Sequence, residues 1–231
     1  MALLVVGVGS VASAFDIPDA VYPKLSQQAA SADGFVPPGW KLERQVAGDL
    51  NRDGVPDLVL LLRETNPKNM VEHDILGENP LDTNPRILAI AFGSRAGPYA
   101  LHLQNHTLIP RREIPAVSDP LDENDLAIDR DVLRMKLNYF TSAGSWMSHN
   151  TTCRLRFVND RFELIGFDRD TFNRATGETT GLSVNFLTGK VQTTAGTMEN
   201  EAQKVRWTKL RKRTPIALDR VGSCLDFDPP R

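Results

Sequence analysis

The chain has 231 residues and a formal charge of −2, and 41% of its residues are hydrophobic. A chain of that size and composition buries a core of its own without depending on disulfides. Its near-zero charge excludes the function classes that hold nucleic acid or anionic membrane by a field of positive charge.

Residues 1–14, MALLVVGVGSVASA, are apolar and small and end in Ala12-Ser13-Ala14. That ending has the small-x-small pattern of a signal-peptidase site. The run is too short to cross a bilayer as a helix, and no basic residues open it. It reads as a leader begun at too late a start codon, with a buried N-terminal strand as the alternative. The leader reading predicts Phe15 as the first mature residue and a periplasmic or secreted protein. No transmembrane segment is expected.

Val21, Leu25 and Gln28-Ala29 follow helical spacing, with Asp19 near the start and Gly34 past the end. One short helix is expected over residues 19–31. From Pro37-Pro38 onward the texture is β. Residues 57–62, DLVLLL, form a continuous apolar run of the kind that suits a buried strand. Residues 86–92 form a second such run, and residues 99–109 alternate for part of their length. The polar, Pro- and Asn-rich stretch between the first two runs reads as a long surface loop.

The second half holds two hairpin signals. Leu155 and Phe157 alternate with Arg154 and Arg156, Asn159-Asp160 supplies a turn, and Phe162 and Leu164 resume the apolar face. Val184 and Phe186 alternate with Ser183 and Asn185 before Thr188-Gly189, and residues 204–210 alternate again. The fold class expected is mainly β: an antiparallel meander, sandwich or partial propeller-like sheet with one short N-terminal helix. Residues 15–231 form a single β-rich domain. The acidic residues 118–131 and basic residues 209–215 read as solvated surface.

The two cysteines, Cys153 and Cys224, are expected to form a disulfide in an oxidising compartment; the alternative is two buried thiols.

The sharpest motif is GDLNRDGVPDLVLLL, residues 48–62. Counting from Asp49 as position 1, Asn51 is 3, Asp53 is 5, Gly54 is 6, Val55 is 7 and Asp57 is 9. Carboxylates this crowded repel one another unless a cation lies between them. Calcium takes six to eight hard oxygens at flexible geometry, and this spacing supplies them from one short loop. The side chains of Asp49, Asn51, Asp53 and Asp57 and the carbonyl of Val55 are the expected ligands, with Arg52 pointing away. The alternative is an Asp-rich turn without metal. Position 12 is Leu60 rather than the bidentate Glu of a helix-loop-helix calcium hand.

The D-x-N-x-D-G-x-x-D spacing followed by LVLLL resembles the calcium loop of FG-GAP and VCBS repeats of integrin-type β-propellers. The resemblance covers residues 47–62, and extends to 109 if the next two strands complete a blade. It implies a Ca2+ loop set between strands and supporting the fold. A full propeller would carry several such loops, and this chain carries one.

His102 and His106, and Ser145 with His149, are weaker constellations; the former lack a third zinc ligand and the latter a nucleophile elbow. The function expected is a calcium-binding binding or structural module outside the cytoplasm. Its partner would be a protein, including a toxin that it neutralises, or an envelope component, and not nucleic acid. The alternative is an envelope hydrolase with a loop-built site.

Overall fold

The computed structural model describes residues 15–122, 125–211, 213 and 215–230, without the side chains of residues 200–202. The expected leader, residues 1–14, lies outside them. In chain order the strands are β1 (Gln28–Ala29), β2 (Trp40–Gly48), β3 (Asp57–Glu64), β4 (Met70–Val71), β5 (Leu81–Asp82), β6 (Arg86–Phe92), β7 (Tyr99–Asn105), β8 (Leu126–Asp129), β9 (Val132–Tyr139), β10 (Met147–Val158), β11 (Arg161–Asn173), β12 (Glu178–Asn185), β13 (Lys190–Thr197), β14 (Asn200–Lys209) and β15 (Ile216–Ala217). All pairings are antiparallel. One sheet runs β1-β7-β6-β3-β2, and a long meander runs β8 to β14 in sequence with β15 on β11. The mainly β, antiparallel expectation is met.

The continuous apolar run of β3 is explained by two cores. Val59 and Leu61 point into a large core shared with Leu133, Cys153, Leu155 and Phe167 of the meander sheet. Leu58, Leu60 and Leu62 point the other way, into a smaller core closed by Leu25, Ala32 and Phe35. Alternate residues of a strand face opposite sides, so a strand buried on both faces has no polar positions to spare.

The expected N-terminal helix over residues 19–31 is not formed. In its place residues 16–26 form no regular element, β1 follows, and a 3-10 turn spans Ala32–Phe35. The reason lies in where the backbone groups go. Pro23 has no N–H, and its carbonyl accepts from Gln104 Nε2 at 2.7 Å. Leu25 N donates to Gln104 Oε1 at 3.2 Å, and the Gln27 carbonyl accepts from Leu101 N at 2.8 Å. The segment is thus bonded across β7, and its apolar residues cap the smaller core instead of lining a helix.

The stretch read as a surface loop is also corrected. It holds β4, β5 and a 3-10 turn at Pro67–Asn69, and Asn69, Leu81, Thr83 and Asn84 are buried. Its polar residues satisfy one another: Asn69 Nδ2 donates to Glu64 Oε2 at 2.8 Å, and Thr83 Oγ1 donates to the Asn69 carbonyl at 2.9 Å. Buried polar groups are tolerated when paired in this way.

The acidic block departs from a solvated face as well. Asp119 accepts from Arg86 Nη2 at 2.8 Å, and Asp125 and Asp131 are buried. Arg63 and Arg86 face each other across β3 and β6, an arrangement of like charges that would be destabilising alone. Glu43 resolves it. It sits at a bulge in β2 between Leu42 and Arg44, and its carboxylate accepts from Arg86 Nε at 2.7 Å and from Arg63 Nη1 at 3.3 Å. A bulge re-aims a side chain, and here it turns a glutamate toward two arginines.

Both hairpin expectations hold. Asn159 and Asp160 take φ of 49° and 62°, the left-handed pair that a two-residue turn between twisted strands requires. The disulfide is present: Cys153 on β10 is bonded to Cys224, and both are fully buried. It fastens the segment Leu218–Leu225 to the large core. Among the described residues no helix is long and apolar enough to cross a membrane.

Candidate functional site: the loop between β2 and β3

β2 ends at Gly48 and β3 starts at Asp57, directly opposite each other in register. The intervening residues wind into a compact loop because its side chains take the backbone N–H groups that a strand would have used. Asp49 accepts from Asp53 N at 3.1 Å and from Gly54 N at 2.9 Å. Asp53 Oδ1 accepts from Val55 N at 2.8 Å. Asn51 Oδ1 also accepts from Asp53 N, and Asn51 Nδ2 donates to Asp53 Oδ2 at 3.0 Å. Gly54 turns the chain at φ 82°, a conformation in which a side chain is strained. Leu50, between the first two polar positions, is buried in the large core and anchors the loop.

The expected site residues therefore divide. Asp49, Asn51 and Asp53 are gathered on the outer turn by their mutual hydrogen bonds. Val55 is half-buried. Asp57 lies beneath them, completely buried. Its Oδ2 accepts from Leu50 N at 2.8 Å and Asn51 N at 3.3 Å, and its Oδ1 accepts from Gly93 N at 2.9 Å. Burial pushes the Asp57 carboxyl above its usual range, Asp53 adds to the push, and the three N–H groups oppose it. Among the described residues no Lys or Arg forms an ion pair with Asp49, Asp53 or Asp57, and no three Asp, Glu, His or Cys side chains are gathered closely enough to hold a metal. In donor chemistry the loop offers only hard oxygens, the set that suits calcium. Three of the roughly four lone-pair sites of the Asp57 carboxylate are used by N–H groups.

Two partners of the loop were not legible in its sequence. Gly93 reaches Asp57 because a Cβ there would stand 2.2 Å from the Pro56 carbonyl oxygen; the residue simply follows an apolar run and carries no mark of this contact. Asp131, in the turn between β8 and β9, receives Arg52 Nε at 2.9 Å. Arg156 Nε stands 2.9 Å from the same oxygen. Both arginines hold the Asp131 carboxyl below its usual range against the effect of its burial.

The weaker constellations separate. His102 stacks on Phe92 with centroids 4.5 Å apart, whereas His106 stacks on Tyr22 at 4.3 Å. Burial lowers the affinity of both for a proton. Ser145 Oγ accepts from Met147 N, and His149 stacks on Tyr139 at 4.8 Å. No protein family, curated protein or solved structure matches this chain.

Proposed function

We propose that the protein is an exported, calcium-ordered binding module in which the ion closes the loop between β2 and β3. The observation that carries the reading is Asp57: a fully buried carboxylate beside Asp53, with no cationic side chain paired to it among the described residues. A buried charge is costly unless it is paired. Asp49, Asn51 and Asp53, with the Val55 carbonyl and the remaining lone pair of Asp57, would hold the ion. When bound, calcium supplies positive charge on the side of the loop where the carboxylates gather, away from Arg52, which is paired with Asp131. The chain's own part is to fix the oxygens, through the hydrogen bonds of Asp49 and Asp53 and the anchoring of Leu50.

Export is supported by the buried disulfide, a bond that persists in oxidising compartments. The partner is a protein or an envelope component. The rival reading, an envelope hydrolase, would need a nucleophile beside a base; Ser145 and His149 are engaged with different neighbours.

The test is thermal melting with calcium and with chelator. A ligand that binds only the native state adds about 2.7 kcal/mol at a hundredfold excess over its Kd. Without a position-12 Glu, a Kd of about 10⁻⁵ to 10⁻³ M is expected. Asp53→Ala should abolish the response. A melting temperature indifferent to both calcium and chelator would sink the proposal.

A further inference from the structure

The meander sheet has two ends. At one, β8 is four residues long, and Ile128 packs on Gly48 of β2, where a Cβ would stand 2.7 Å from Ile128 Cγ2. At the other, β14 pairs with β13 and, among the described residues, with no further strand. It is ten residues long, and residues 203–209 are all exposed, whichever face of the sheet they point to.

The backbone of this edge is free on its outer side. Leu210 N donates to the Gly189 carbonyl at 2.8 Å. Along an antiparallel strand, residues bonded to the neighbour alternate with residues turned away from it. Counting back from Leu210, the residues bonded to β13 are Thr208, Arg206 and Lys204, opposite Val191, Thr193 and Ala195. Val205, Trp207 and Lys209 therefore turn their N–H and C=O groups away from the sheet. Such a row is a template for one more strand.

The side chains along the row carry charge of one sign. Residues 203–213 hold six Lys or Arg and no Asp or Glu. Lys204, Arg206, Lys209 and Arg211 form no ion pair among the described residues. Charge alone would be solvated surface. A solvated edge has no need of Trp207, 61% exposed, or of Val205, 51% exposed. These two project from one face beside Gln192 and Thr194, which give them no apolar partner. Lys204 and Arg206 project from the other face.

These features choose among occupants. A second copy laid along β14 would set cations against cations, and like charges opposite one another destabilise a strand pair. A nucleic acid would answer the cations, but its phosphates only accept hydrogen bonds and would leave the outward carbonyls unmatched. An extended peptide both donates and accepts at the spacing of the strand. Carboxylates on one of its faces would meet Lys204 and Arg206, and apolar side chains on the other would meet Val205 and Trp207.

We infer that β14 binds an acidic, extended segment of a partner protein as one more strand of the sheet, with carboxylates beside Lys204 and Arg206 and apolar side chains beside Val205 and Trp207. The inference rests on the binding-module reading and names the kind of partner, but it does not rest on calcium.

Fluorescence anisotropy with the full chain tests it, using a labelled peptide that alternates glutamate and valine over the length of residues 203–209. Saturable binding with a Kd of about 100 μM or tighter is expected, and the lysine–valine counterpart should not bind. Lys204→Glu with Arg206→Glu should exchange the two preferences, weakening the glutamate–valine peptide about tenfold; both side chains are exposed, so the fold should survive. Val205→Pro removes an outward N–H and no bond to β13, a position where an edge strand tolerates proline. It should weaken the same peptide, as should N-methylation of the peptide backbone. If Val205→Pro melts early, the charge-reversed variant and the N-methylated peptide decide. No saturable binding, or an affinity unchanged by both charge reversal and N-methylation, overturns the inference. So does oligodeoxythymidylate that binds more tightly than the peptide and displaces it, and so does a dimer in sedimentation that Val205→Pro dissolves. Calcium melting curves run alongside: peptide binding without a calcium response removes the calcium reading alone, and a calcium response without peptide binding removes this inference alone.

Discussion

Arg52 Nε donates to Asp131 Oδ2 at 2.9 Å, so the loop between β2 and β3 is held to the turn that joins β8 and β9 on the other sheet. Arg52 sits at φ 64°, and the left-handed backbone that winds the loop also carries its guanidinium outward to that partner. Arg156, from β10, converges on the same carboxylate.

Removing one side of this contact should therefore be unequal. The Arg52 side chain is 65% exposed, and Arg52→Ala should cost about 0.5 kcal/mol, the scale of an exposed ion pair. Asp131→Ala leaves two arginines without their anion and should cost about 2 kcal/mol. Urea unfolding of both variants and of the double variant measures the coupling. Equal losses would mean that Arg156 takes no part.

The calcium response should depend on pH through Asp57. Its carboxyl is held above the usual range in the folded state. The charged form is thus penalised above that raised value, and the penalty vanishes once pH falls below the value of an unfolded Asp. Calcium, which favours the charged form, should raise the melting temperature fully at neutral pH and progressively less as pH drops through the raised value. A calcium increment that grows on acidification would contradict this.

Glu43 and Asp119 behave in the opposite sense. Although burial works the other way, Arg86 and Arg63 hold both carboxyls below their usual range. Their contribution is complete above the ordinary carboxylate values and is lost as pH falls through the depressed folded values. Glu43→Gln strips the buried Arg86 of its principal partner and should cost about 3 kcal/mol at neutral pH. Acid unfolding of this variant should also be shallower than that of the parent.

The disulfide closes a separation of 71 residues. Chain entropy gives about 4 kcal/mol for a loop of that size as an upper figure. Cys153→Ala with Cys224→Ala should lower stability by up to that amount, and the loss should appear first as exchange of amides near Leu218–Leu225. Thiol titration of the denatured, unreduced parent should find none.

Periodicity revealed the strands and hairpins because each registers locally: DLVLLL announces burial on both faces, and Asn159-Asp160 announces its turn. The helical spacing of Val21 and Leu25 does not make a helix: Leu25 enters the smaller core while Val21 is exposed, and the backbone bonds of Pro23 and Leu25 run to Gln104, far along the chain. The polar stretch before β6 reads as solvated because composition does not reveal that Thr83 and Asn84 pair with Asn69 across the β4–β5 pairing. The Asp-rich loop was legible as a motif. Its supports at Gly93 and Asp131 were not, since neither residue carries a signal until the sheets are folded together.

The two cores are sealed by segments from opposite ends of the described chain, residues 22–36 over the smaller and Leu218–Leu225 over the larger. A ribosome therefore delivers the first cover before there is any sheet beneath it, and the second only after every strand has emerged. The smaller core can close once β7 has been made. The larger one has the five-stranded sheet against it as soon as the meander is made, but it lacks its last cover until Cys224 arrives to be oxidised, so the seam under Leu218–Leu225 is the last of the core to be protected.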